Sequence, residues 1–211
     1  MKKKNLTNAD LLKLHYKFDN DENAGEAIKK ELLNTKYTLE KANRGVAHFK
    51  DTETNANYIS VRGTNPSKKK DLMSDIKLAL GMSSTDKQFK KRTNDIKEIY
   101  RNNTGDNHLI GHSLGGSVIQ HALTKSPSIL KQTKSANTYN IGMTNAFHKD
   151  TYGKLDKKGK KAFNGKVVHH RIKGDLISKS LLNDGFGGVV YDYESDSMNP
   201  LTNHSLDNFL N

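Results

Sequence analysis

A chain of 211 residues with 33% hydrophobic residues and no cysteine can bury one sizeable core, but disulfides and thiolate chemistry are excluded. No apolar run is long enough to span a membrane. The opening Met1-Lys2-Lys3-Lys4 lacks the apolar stretch of a secretory signal, so a cytoplasmic or particle-associated setting with peripheral membrane contact is expected. The charge of +12, from 35 Lys and Arg against 23 Asp and Glu, reads first as a solvated, lysine- and asparagine-rich surface. Attraction to an anionic membrane surface comes second. Nucleic acid comes last, because aromatics are sparse and not interleaved with the basic clusters at 2–4, 68–70, 90–92 and 157–161.

In chain order, Leu11, Leu12, Leu14 and Phe18 recur at helical spacing after Asn8, which predicts a helix over 8–18 capped by Asn8. Residues 24–33 predict a second helix. Segments 37–41 and 45–50 alternate at period two around Ala42-Asn43-Arg44-Gly45 and predict a hairpin. A strand over 56–61 runs into Arg62-Gly63-Thr64, and an amphipathic helix is expected over 71–80. Residues 86–103 carry Phe89, Ile96, Ile99 and Tyr100 as the apolar stripe of a long polar helix. After the short strand at 109–110 comes a helix to about 124, ended by Ser126-Pro127. Strands are expected at 135–141, 166–172 and 189–194. A Lys/Gly-rich loop with one short helix fills the interval between the first two, and a last short helix covers 206–210. Strands alternating with helices predict an α/β fold, a mostly parallel central sheet flanked by helices with N-terminal helices and a hairpin, in a single domain over 1–211.

The chemistry-bearing segment is Gly111-His112-Ser113-Leu114-Gly115-Gly116 between the strand and the helix. This is the pattern of a nucleophile elbow, with Ser113 at the apex of a sharp turn. Gly111 and Gly115 provide clearance where strand and helix backbones pass close, and the Leu114 N–H, in the first turn of the helix, is a natural oxyanion donor. A serine so placed needs a base and a carboxylate to orient it. Nine histidines compete. His15 lies far upstream in a helix; His48, His169 and His170 sit within strands; His108 and His121 lie at a strand start and within a helix. His112 projects away from Ser113, and His148 begins a polar loop. His204, last in the chain and following the loop 199–203, fits the order serine, acid, histidine. For the acid, Asp175 follows the strand 166–172, at the carboxyl end where ligands bind in open α/β sheets. Asp175 is preferred, with Asp184 and Asp192 as alternatives. No metal or cofactor is called for.

At this point the residues resemble the class 3 lipase family, the fungal-lipase-like branch of α/β hydrolases. The resemblance runs from about Tyr37 to His204. Its landmarks are Val61-Arg62-Gly63-Thr64, the Asp71 to Ile76 segment, the elbow, Asn137-Thr138-Tyr139-Asn140-Ile141-Gly142, Gly174-Asp175-Leu176-Ile177 and Asn203-His204-Ser205-Leu206. It implies an α/β-hydrolase fold and a Ser113–Asp175–His204 triad hydrolysing carboxylic esters of lipids, as a lipase or phospholipase A. It also implies an oxyanion hole from the Thr64 and Leu114 N–H groups, with the Thr64 hydroxyl as a candidate third donor. Arg62 would tie loops beneath the site, and a lid would lie within residues 65–90. The family's His-x-Gly-like stretch after the lid is missing, and Lys68-Lys69-Lys70 within the lid segment favours esters of anionic phospholipids. The alternative is a non-catalytic hydrolase-fold module that holds membrane or nucleic acid on its basic surface. A fluorophosphonate probe discriminates the two.

Overall fold

A computed structural model describes residues 3–19, 24–64, 87–178 and 187–210. Among these, seven strands form one sheet whose spatial order is also the chain order. They are β1 (Tyr37–Ala42), β2 (Val46–Asp51), β3 (Asn57–Val61), β4 (Asn107–His112), β5 (Thr133–Tyr139), β6 (Val167–Ile172) and β7 (Val189–Tyr193). The β1–β2 and β2–β3 pairs are antiparallel, and β3 through β7 run parallel. The helices are α1 (Asn8–Tyr16), α2 (Ala24–Leu32), α3 (Lys87–Asn102), α4 (Leu114–Lys125), α5 (Pro127–Gln132), α6 (Asn145–Asp150), α7 (Lys157–Asn164) and α8 (Pro200–Asn203).

The strand order dictates the layering. Right-handed crossovers between parallel strands that always advance the same way put every connecting helix on one face. The apolar contacts agree. One core joins Val61, Leu109, Ala136 and Val167 of the sheet to Phe89 and Ile96 of α3, Val118 and Ile119 of α4, and Phe163 of α7. That leaves the opposite face bare. It is covered by the N-terminal helices, where Leu11, Leu12 and Ile28 pack on Ala47, Phe49, Ile110 and Tyr139. Leu109 and Ile110 therefore point to different cores and are both fully buried. This is why β4 reads as a continuous apolar pair rather than an alternating strand.

Several boundaries differ from the sequence reading for local reasons. The α1 cap is Thr7, whose hydroxyl accepts from the Asp10 N–H while Asp10 accepts from the Thr7 N–H. This reciprocal pair outcompetes Asn8. Pro127 does not only end α4; it occupies the first turn of α5, where its missing N–H costs nothing. The interval 142–165 holds two helices, α6 capped by Thr144 and α7 capped by Asp156, so His148 lies in a helix. Residues 200–203, expected as loop, form α8 under the Asn199 cap. The expected helix at 71–80, the segment 65–86 of the expected lid, and Asp184 lie outside the described residues. Among the described residues no helix is long and apolar enough to cross a membrane.

The elbow helix α4 is buried from Leu114 to Leu123 and lies directly on β3. A Cβ on Gly115 would overlap the Val61 carbonyl oxygen, which belongs to backbone and has no flexible end to move. Gly115→Ala is therefore expected to lower the unfolding free energy by about 1–3 kcal/mol or to prevent folding. Gly165→Ala, where the nearest atom would lie at 3.6 Å, should stay within about 0.5 kcal/mol. Urea denaturation of the two variants checks the contrast.

Candidate active site

The parallel strands end on one edge, and the segments leaving that edge supply every group of the site. β4 delivers Ser113. Its backbone sits at φ 53° and ψ −125°, a conformation that costs an L-residue energy and is kept only where the surroundings enforce it. They do so here. The Ser113 N–H donates to the Tyr139 carbonyl at 3.0 Å, and its own carbonyl accepts from the N–H groups of Gly116, Ser117 and Gly142. The side chain makes no capping bond to α4, so the hydroxyl stays available to other partners. Leu114 and Gly115 occupy the first turn of the helix, whose leading N–H groups have no intrahelical acceptor.

β6 delivers Asp175 through a turn at Gly174, which has φ +88°. The turn leaves no room for a side chain, since a Cβ there would lie 2.7 Å from Asn203 Nδ2. The Asp175 carboxylate accepts from the Ile177 N–H at 3.0 Å and from the Ser178 hydroxyl and N–H at 2.6 and 3.2 Å. Burial pushes this carboxyl up, but the interaction with His204 and the bonds from Ser178 and the Ile177 N–H outweigh it, so it ends below its ordinary value. Of the alternative acids, Asp192 is held in a two-pronged pair with Arg171 on the adjacent strand, at 2.7 and 2.6 Å, away from Ser113.

His204 caps the C-terminus of α8 and closes the constellation. Its Nδ1 stands 3.1 Å from both Asp175 carboxylate oxygens, and its Nε2 stands 2.8 Å from Ser113 Oγ. An ionised carboxylate can only accept, so Nδ1 carries the proton and Nε2 is left to accept from the Ser113 hydroxyl. All three side chains are buried. Thr64 is half-buried at the end of the segment that leaves β3. Its neighbour Gly63 lies against the serine, since a Cβ on Gly63 would be 2.8 Å from Ser113 Cβ.

Four positioning residues escaped the sequence reading. His112 does project away from Ser113, but not into an idle place. The Gly63 N–H donates to Tyr16 Oη at 2.9 Å, and Tyr16 lies 2.7 Å from His112 Nδ1. His112 Nε2 lies 2.9 Å from the His204 carbonyl. That carbonyl must accept, so His112 carries its proton on Nε2, and Tyr16 donates to Nδ1. Helix α1, the segment after β3, the elbow and the histidine segment are thus tied in one row. Asn140, at φ 42°, donates to the Asn203 carbonyl at 2.8 Å and accepts from the Ile172 N–H at 2.9 Å, joining the segments that bear His204 and Asp175. Asn203 fixes the loop before it through Ser195 and Ser197. The sequence signal for His112 was its place inside the elbow string, and Asn140 and Asn203 stood in the strings quoted for the family resemblance without a role of their own; Tyr16 had no signal. Arg62 does tie loops, reaching the Arg44 carbonyl through Nε while its own carbonyl accepts from Arg92 at 2.8 Å.

Five of the other histidines bond within the fold: His15 to Ser60 and Asn43, His48 to Asn57, His108 to Ser135, His169 to Thr138, and His170 to Asn137 and Tyr193. Among the described residues no group of three or more His, Asp or Glu is arranged to hold a metal ion.

No family model matches this sequence, and no curated protein matches it. Among solved structures, the chain is similar to a mutant form of MDLA from Penicillium cyclopium, at 15% identity and a TM-score of 0.46, covering 92% of this chain and 82% of that one. It is also similar to a structure described as a fungal lipase, at 14% identity and a TM-score of 0.46, covering 95% and 87%.

Two outcomes follow from the geometry. Tyr16→Phe strips the partner from both the Gly63 N–H and His112 Nδ1 and should cost about 1–3 kcal/mol in urea denaturation. Burial, above all, depresses His15 and His112 to about 3 and His121, His169 and His170 to about 4, from an ordinary 6.5. The fold keeps them neutral while the unfolded chain takes up protons below 6.5, so their contribution is full above that value and is lost as pH falls towards 3–4. The urea midpoint should therefore fall steadily between pH 6.5 and 4.

Proposed function

We propose that the chain is a serine ester hydrolase of the α/β-hydrolase type that acts on carboxylic esters of lipids. The observation that carries this reading is the serine–histidine–carboxylate line, 2.8 Å and 3.1 Å, at the carboxyl ends of the parallel strands. His204 Nε2 takes the Ser113 proton as Oγ attacks the acyl carbonyl. Asp175 holds the imidazole in the required tautomer and stabilises the imidazolium that forms. The oxyanion is met by the Leu114 N–H at the start of α4 and by the N–H of Thr64, assigned from its place next to Gly63. The alcohol leaves with the proton from His204, and water, activated by the same histidine, releases the acid.

A module that only binds a surface is the rival reading. It has no use for a hydroxyl left uncapped at a strained turn and aimed at an imidazole acceptor, so that geometry favours the enzyme.

Ser113→Ala should abolish labelling by a fluorophosphonate and remove ester hydrolysis down to a small residue. Asp175→Asn should lower kcat by on the order of 10⁴ while leaving KM nearly unchanged, because it disturbs the tautomer and spares binding. Hydrolysis of p-nitrophenyl esters of graded chain length measures both. An unlabelled wild-type Ser113 in folded protein sinks the enzyme assignment.

A further inference from the structure

A cleft of about 630 Å³ opens between the β1–β2 turn, the start of α3 and the end of the N-terminal helical segment, lined by residues that include Phe18, Arg44, Arg62, Lys91, Arg92 and Asp95. None of Ser113, Asp175 and His204 lines it. Among the described residues, Arg44, Arg62, Lys91 and Arg92 line it together with Asp95. Arg62 is buried, while Arg44 and Lys91 are exposed at the rim. Positive potential reaches beyond the cleft: after burial, the charges of Arg62 and Arg92 also depress the nearby His15. Guanidinium groups present planar N–H forks that match phosphate oxygens.

We propose that this cleft is a subsite for the phosphate of an anionic phospholipid headgroup presented at a lipid surface. The choice of a lipid rests on the ester-hydrolase reading of Ser113. The chain connects the two, since Arg62 in the cleft lining immediately precedes Gly63, which packs on Ser113. Two further features favour a headgroup over free phosphate. The Phe18 ring adds an apolar wall that suits the glycerol part of a lipid and gives nothing to an inorganic ion. The net charge of +12 also draws the whole chain towards an anionic surface.

Binding is tested in Ser113→Ala protein, so that no turnover intervenes, with phosphatidylcholine vesicles with and without phosphatidylglycerol. The cleft pair Arg44→Glu/Lys91→Glu is compared with Lys157→Glu/Lys158→Glu on α7, which makes the same charge change at exposed positions away from the cleft. Phosphatidylglycerol should strengthen binding, the cleft pair should weaken it by about tenfold or more, and the α7 pair by much less. Thermal melts check that the variants fold. If the cleft pair does not, Arg44→Ala/Lys91→Ala should show a smaller loss of the same sign. Equal losses from the two pairs would mean that bulk charge alone acts, and no preference for phosphatidylglycerol would leave the cleft without its ligand; either overturns the proposal. Titration with inorganic phosphate separates the sources. Saturable phosphate binding lost in the cleft pair, with vesicle binding unaltered, replaces the lipid with the free ion. Loss of vesicle preference bears on the cleft, whereas a wild-type chain that hydrolyses no ester bears on Ser113.

Discussion

The close approach of the elbow helix to β3 is the constraint from which the rest of the site is measured. Gly115 lies against the Val61 carbonyl, and Gly63 lies against Ser113 itself, so two backbones share a space that any side chain would fill. That contact keeps Ser113 at positive φ and brings the segment after β3 beside the serine. It also sets the first turn of α4 beside the serine. A small displacement there would move Ser113 and the segment that bears Thr64 together, because both ride on the same two backbones.

The other two members of the line come from segments far away in the chain and are held by buried amide and carboxylate bonds. Asn140 carries the greatest burden: one side chain, wholly buried, joins the segments bearing Asp175 and His204. Tyr16 and His112 do the same for the N-terminal helix and the segment after β3. The N-terminal helices thus have two duties. They close the sheet face that one-directional crossovers leave bare, and they supply a phenol that completes a hydrogen-bond row ending on the His204 carbonyl. Low dielectric makes such rows strong when every member is paired and costly when one is lost.

Charge is distributed in opposite ways inside and outside. Burial keeps His15, His48, His112 and His169 neutral, and each serves as a bonded spacer, while the described lysines stand mostly in solvent. Among the described residues the guanidinium groups depart from this: Arg171 is buried in its pair with Asp192, and the cleft gathers several around a cavity, with Arg62 buried. One of the cleft's lining residues, Arg62, stands next to the segment that packs on Ser113, a placement that composition does not express.

How much was legible depended on whether the controlling physics is local. The elbow could be read because strained turns, missing Cβ atoms and helix starts are properties of a few adjacent residues. His204 and Asp175 followed from chain order and from the carboxyl end of a strand, and the hairpin and long polar helix from periodicity. The Thr7 cap and the helix starts at Pro127 and Pro200 were also local, with signals written in Asp10, in proline at the first turn and in Asn199. The roles of Tyr16, Asn140, Asn203 and His112 were not legible, since their bonds join residues 32 to 96 positions apart or depend on where a loop returns. The same holds for the cleft, whose cations come from a turn, a strand end and a helix. By itself the sequence determined which groups could react and in what order they occur. Only the tertiary structure decided which polar side chains hold them together, because that depends on backbone approach between segments with no periodicity in common.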